Sequence, residues 1–148
     1  MTIYKNILCA VDFSDTSEQA CRHAVELARL LGAKLSLLHI VEYFPEDRSN
    51  EFIAPECDDP AGFVESQAHL GLNELAKRAG CEDADRQVLF SSDSARHEIV
   101  RFAKAHDIDL IVLGSHGRHG IAVLLGSTAN GVVVRAACDV LAVRAKEE

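Results

Sequence analysis

A chain of 148 residues is about the length of one domain, and a domain of that size buries roughly 70% of the surface its unfolded chain exposes, so it needs no disulfide or metal staples. Its net charge of −8 and pI near 5.3 argue against a broad nucleic-acid footprint, which requires a basic face. The five cysteines are odd in number, scattered and without a C-x-x-C pair, which excludes a disulfide scaffold and reads as reduced thiols in a cytoplasmic protein; no apolar run approaches the roughly 18 residues of a membrane span, and Lys5, Asn6 and Asp12 break any signal-peptide pattern.

The first element is the apolar run Ile7-Leu8-Cys9-Ala10-Val11, ended by Asp12. A short run with no polar alternation predicts a strand covered on both faces, as in a parallel sheet, with Cys9 a small core residue. Ser14 to Ser17 has capping character, and Asp15 followed by Glu18 predicts a capping box. Ala20, Ala24, Leu27, Ala28 and Leu31 then form one helical stripe, and Gly32 offers a left-handed stop. Lys34 to Val41 is the second strand, in which His39 is expected to be a hydrogen-bonded core residue. The stretch from Tyr43 to Asp59 holds six acids against one base and two of the three prolines, and predicts a mobile acidic loop. Asp59-Pro60 suits an N-cap and first helical position. The stripe Val64, Ala68, Gly71, Leu72, Leu75 and Ala79 follows, closed by Gly80.

Gln87 to Phe90 is a third strand, and Ser92-Asp93-Ser94 is placed to cap a helix whose stripe is Ala95, Ile99, Phe102 and Ala103. Ile108 to Leu113 is a fourth strand, a helix is expected near Thr128 to Ala137, and Val140 to Val143 is a fifth strand. Strict β-α alternation implies one parallel sheet with helices on both faces, joined by right-handed crossovers, and the whole chain, 1–148, reads as a single domain.

Five of the nine glycines fall between Gly114 and Gly131, in a segment that begins at the end of a buried strand and closes at the start of a helix. Small residues let backbone N–H groups approach an anion, and a helix N-terminus adds unpaired donors and a partial positive charge. Gly126-Ser127-Thr128 stands at that helix start, and Arg118, with His116 or His119, adds positive charge. This density favours a phosphate site over plain turn chemistry. Asp12 would then meet a ribose hydroxyl, a base amino group or Mg2+, or else only cap the helix after it. The His116/His119 pair lacks the further ligands that a metal site needs.

Three segments, Ile7 to Ser14, Leu35 to Val41 and Asp109 to Asn130, together with Cys138 to Arg144, resemble the universal stress protein family over essentially the whole chain. The resemblance implies an open five-stranded parallel α/β sheet of order 3-2-1-4-5, Rossmann-like and of the adenine nucleotide alpha hydrolase type. Strands 1 and 4 then neighbour one another, and Asp12 lies beside the glycine-rich loop. It also implies adenine nucleotide binding through Gly-x2-Gly-x9-Gly-Ser/Thr. Here Gly114-x2-Gly117 is followed by Gly126-Ser127 after eight residues instead of nine, and AMP or ADP fits the motif as well as ATP, with or without Mg2+. Carried over by position, Ala10, Val11 and Asp12 line the adenosine side, and Ile40 and Val41 touch the adenine. Leu113, Gly114, His116 and Gly117 approach ribose and α-phosphate; Gly126, Ser127, Thr128 and Ala129, with Arg118, hold phosphate. Family practice also implies a homodimer through the last strand, Val140 to Arg144.

The implied protein is a stress-response regulator that binds ATP, ADP or AMP and hydrolyses ATP slowly at most, since neither a Walker lysine nor a general base accompanies the motif. The alternative is a dimeric interaction protein of the same family with no nucleotide. An enzyme with a glycine loop after strand 1 is disfavoured by the turn Asp12-Phe13-Ser14-Asp15. A phospho-receiver is disfavoured because Asp12 and Asp15 are not adjacent and the lysine after strand 5, Lys146, stands only at the tail.

Overall fold

The computed structural model describes residues 3–42, 60–116 and 125–144. The predicted acidic loop at 43–59, with Cys57, lies outside them, as do Gly117, Arg118 and His119. Nine elements alternate strictly: β1 (Asn6–Ala10), α1 (Asp15–Leu31), β2 (Lys34–Glu42), α2 (Pro60–Ala79), β3 (Asp85–Ser91), α3 (Ala95–Ala105), β4 (Leu110–Gly114), α4 (Ser127–Arg135) and β5 (Asp139–Val143). The strands form one sheet of order β3-β2-β1-β4-β5, every pair parallel.

Burial follows position in the sheet. The central strands β1 and β4 are covered on both faces, so Ile7, Leu8, Cys9, Ile111 and Val112 are fully buried. The edge strands β3 and β5 instead largely alternate exposed with half-buried residues, as expected where one flank meets water. One face of the sheet packs Ile7, Cys9, Leu35, Leu37 and Val112 against α1 and α2. The other packs Leu8, Ala10, Leu38, Ile40 and Ile111 against α3 and α4. Consecutive residues of β1 therefore feed opposite cores, which is why its sequence shows no polar alternation.

Several local expectations shift in detail. The cap of α1 is Ser14, one residue before the expected Asp15: its hydroxyl accepts from the Ser17 N–H at 3.1 Å, and Asp15 and Glu18 sit in the first turn, where the helix dipole favours acids. Gly32 does terminate α1 in the left-handed conformation, φ 65°. Ser94 occupies the N-cap position of α3 without capping, because its hydroxyl lies 3.0 Å from His97 Nδ1 instead. The fourth strand starts at Leu110 and not at Ile108, because the Ile108 amide closes onto Ala103 O after α3. Asp109 accepts from the backbone N–H groups of Lys5 and Asn6, pinning the start of β1. His39 is half-buried, and since a carbonyl only accepts, its Nδ1–H donates to Val11 O at 2.7 Å. Among the described residues no helix is long and apolar enough to cross a membrane.

Cys9, Cys21 and Cys81 are free thiols buried in the α1–α2 core. Contacts with Cys81 and Cys9, together with burial, leave the Cys21 thiol pushed up to about 12, and hydrogen bonding to Cys21 raises Cys81 as well. Unfolding exposes both thiols, which then ionise near their ordinary range while the folded chain keeps its protons. Stability attributable to them is therefore full below about pH 8.5 and falls progressively as pH rises towards 12. Urea unfolding of the native chain and of Cys21→Ala between pH 7 and pH 10.5 should show a shallower alkaline decline in the variant.

Candidate functional site

In an open parallel sheet, ligands sit beyond the carboxyl ends of the strands where the order reverses. Here that point lies between β1, whose helix crosses to one face, and β4, whose helix crosses to the other. The two strands pair directly, Cys9 with Val112, so the residues that follow them share one crevice. The Val11 N–H donates to Leu38 O at 2.8 Å, extending the β1–β2 ladder and keeping the end of β2, with Ile40 and Val41, beside it.

Asp12 stands at the mouth of this crevice, half-buried. Its Oδ1 accepts from the Ser14 N–H at 3.0 Å and from the Ser14 hydroxyl at 2.5 Å. The carboxylate thus orients the residue that caps α1 and does not cap the helix itself. Among the described residues its Oδ2 takes no hydrogen bond. Phe13, next in the chain, adopts φ 64°, a conformation that costs a bulky residue energy. It is held by His39, ring centroids 4.4 Å apart, and by Gly71 of α2, where a Cβ would fall 2.9 Å from the Phe13 ring.

The end of β4 departs from the reading of Gly114 as a ligand-facing glycine. A Cβ there would fall 2.7 Å from Thr16 Cγ2 and 3.1 to 3.2 Å from backbone atoms of Thr16 and Ser17. The glycine is required because the first turn of α1 packs directly on β4. The loop amides are divided as well. The Ser115 N–H continues the β4–β5 ladder to Val143 O at 2.8 Å, and the Gly126 N–H donates to Ser115 O at 2.6 Å. That second bond ties the start of α4 to the end of β4, and the two bonds together take two amides of the 114–128 stretch out of any anion site.

The first turn of α4 remains. Its N-cap is Gly126, which has no side chain to cap with, so among the described residues the N–H groups of Ser127, Thr128 and Ala129 carry no capping side chain. Ser127 is exposed and Thr128 half-buried, while the Ala129 methyl is in the core. By contrast α1, which opens beside the same crevice, is capped by Ser14 and carries acids in its first turn. An anion at this corner therefore meets a donor-rich α4 and a satisfied α1. Next to it lies His116, whose Nδ1 is 3.1 Å from the buried Ser115 hydroxyl and whose Nε2 is buried without a hydrogen-bond partner among the described residues. Such an orphan calls for a ligand or water to complete it.

The structure accordingly gathers Ala10, Val11 and Asp12, then Leu113, Gly114 and His116, then Gly126 to Ala129 around one crevice, with Ile40 and Val41 at its β2 side. Ala10, Val11, Ile40, Val41 and Leu113 are at most 9% exposed, so their side chains belong to the core and only their main chain can face a ligand. Gly117 and Arg118 lie outside the described residues. One neighbour of the site was not singled out from the pattern: Ser115, hidden as an ordinary loop serine, whose hydroxyl lies 3.1 Å from His116 Nδ1. Among the described residues no group of three or more His, Cys, Asp or Glu is placed to hold a metal ion.

The sequence model of the universal stress protein family matches residues 3–144. Universal stress protein A homolog 1 of Coxiella burnetii is 38% identical over 144 residues, covering 97% of this chain and 99% of that protein. Among solved structures, universal stress protein UspA from Lactobacillus plantarum is similar with TM-score 0.72 and 29% identity, covering 95% of this chain and 98% of the other. A universal stress protein in complex with cAMP is similar with TM-score 0.67 and 27% identity, covering 97% and 98%.

Proposed function

Because the chain belongs to the universal stress protein family, we propose that it is a stress-response regulator that binds an adenine nucleotide, ATP, ADP or AMP, in the crevice between β1 and β4. The observation that carries the reading is the uncapped first turn of α4, tethered to the end of β4 by the Gly126–Ser115 hydrogen bond and flanked by the orphaned His116 Nε2. A phosphate there would take the N–H groups of Ser127, Thr128 and Ala129 as charge-assisted hydrogen bonds. The free oxygen of Asp12 would accept from a ribose hydroxyl, or hold the Mg2+ that a polyphosphate brings with it. The main chain at Ala10, Val11, Ile40 and Val41 would read the adenine edge. Gly117 and Arg118 belong to the same proposed site by their place in the motif. The cAMP complex of a relative with the same fold supports the adenine reading.

Catalysis is not part of the proposal beyond slow hydrolysis. No lysine lies between Lys104 and Lys146, so the β4–α4 segment has no Walker-type cation for a transferring phosphoryl group. The single domain 1–148 would act as a homodimer. β5 is an edge strand with Leu141 36% exposed, and α4 beside it exposes Val133 and Val134; pairing of two copies at Val140 to Arg144 would cover that edge.

Equilibrium titration with ATP, ADP and AMP, each with and without Mg2+, tests the site. Dissociation constants well below 1 mM are expected. Binding weaker than about 1 mM, a free energy of some −4 kcal/mol, for all three would overturn the reading and leave a dimeric interaction protein with an empty crevice.

A further inference from the structure

We propose that Arg96 is a phosphate-facing cation of this crevice and that it grades the affinity of the site by the charge of the ligand. The inference rests on the adenine-nucleotide reading and adds to it a residue from α3, outside the glycine-rich segment.

Arg96 is the second residue of α3, which packs against α4 on the same face of the sheet. Its side chain crosses α4 at Gly131. A Cβ at that position would fall 2.2 Å from Arg96 Cδ and 3.0 Å from its Cβ and Cγ. The methylene stem therefore lies against the α4 backbone in a groove that only glycine leaves open. Gly131 is one turn below Thr128, on the same side of the helix. Both α3 and α4 follow strands of an all-parallel sheet, so their N-termini lie at the crevice end. Helical side chains slant towards the N-terminus of their own helix, which carries the Arg96 head towards the uncapped turn of Ser127 to Ala129.

Among the described residues the nearest carboxylate that acts on this guanidinium is Asp93, and it is engaged by other partners. Among the described residues Arg96 makes no ion pair or hydrogen bond. Asp93 is engaged by His97 at 2.9 Å and by Arg101 at 3.6 Å. Glu98 is engaged by Arg101 and by the Ser91 hydroxyl. The hydrogen bond from His97, with smaller help from Arg101 and Arg96, holds the Asp93 carboxyl below the usual carboxylate range. A cation close to the positive end of a helix is repelled by it. With the Arg96 head directed to the corner where the first turn of α4 and the unpartnered His116 Nε2 lie, an anion placed there would be stabilised by both positive features together.

The number of phosphates should then matter more than the nucleoside. The test titrates ATP, ADP, AMP and adenosine into the native chain, Arg96→Met and Arg96→Lys, at low and at moderate salt. Arg96→Met keeps an unbranched stem over Gly131 and removes the charge; Arg96→Lys restores a charge without the planar fork. The native chain should bind in the order ATP, ADP, AMP, adenosine. Arg96→Met should lose about tenfold or more for ATP, less for AMP and nothing for adenosine, with a flatter salt dependence, and Arg96→Lys should recover part of the loss. Equal losses for ATP and adenosine, or unchanged ATP affinity, would overturn the role of Arg96 while leaving the crevice intact as a site. Failure of the native chain to bind any of the four would overturn the site and Arg96 together, and the native titrations alone reveal it.

Discussion

A Gly126→Asp chain is expected to bind ATP at least a hundredfold more weakly while folding no less stably than the native protein. Gly126 is the N-cap of α4, with φ −66° and ψ 166°, an extended conformation that any L-residue adopts. An aspartate there can accept from the N–H of Thr128 or Ala129 and place a negative charge at the positive end of the helix, a gain of a few tenths of a kcal/mol over glycine. Those are the donors proposed for the phosphate, which would find them taken and a like charge in their place. Loss of charge-assisted hydrogen bonds plus repulsion amounts to about 3 kcal/mol, or two orders of magnitude in affinity. Gly126→Asn, which can cap without the charge, should lie between the two. Nucleotide titration and thermal melts on the same samples check both halves. Undiminished ATP affinity in Gly126→Asp would mean that no phosphate rests on this turn.

Gly114→Val should lower stability by about 3 kcal/mol, at the upper end of overpacking costs, and the melting temperature by about 8 °C for a chain of this size. The added carbons collide with a β-branched side chain and with α1 backbone, at 2.7 Å from Thr16 Cγ2 and 3.2 Å from Ser17 N. Neither can swing aside as a long flexible side chain could. Urea unfolding should show a lower midpoint with an unchanged m-value. Nucleotide affinity should fall too, because displacing the start of α1 moves Ser14 and with it the Asp12 turn. If Gly114 instead faced ligand, valine would abolish binding and leave the midpoint where it was. The two measurements separate a packing glycine from a binding one.

The distinction between those two glycines shows where reading the chain stops. The apolar run Ile7 to Val11, the stripe Ala20 to Leu31 and the stops at Gly32 and Gly80 all depend on periodicity and local backbone freedom, which act within a few residues. They placed the five strands and four helices to within a few positions. The β4–α4 segment was visible for the same reason: its glycines crowd between a buried strand and a helix start. What a given glycine is for depends on atoms far away in the chain. Gly114 faces Thr16, Gly71 faces the Phe13 ring, and Gly131 faces Arg96.

Taken alone, the amino-acid order determined the β-α alternation, the parallel character of the sheet and the position of the crevice-forming segments, because hydrophobic period and turn chemistry are local properties. The tertiary structure decided how the backbone donors of that crevice are spent. Ser115 and Gly126 are satisfied inside the protein, α1 is capped by Ser14, and the first turn of α4 takes no side-chain cap among the described residues. It also brought Arg96 across from α3 to α4. Hydrogen-bond partners and charge neighbours are assigned by which elements pack together, and 35 residues separate Arg96 from Gly131 in a chain whose packing sets them in contact.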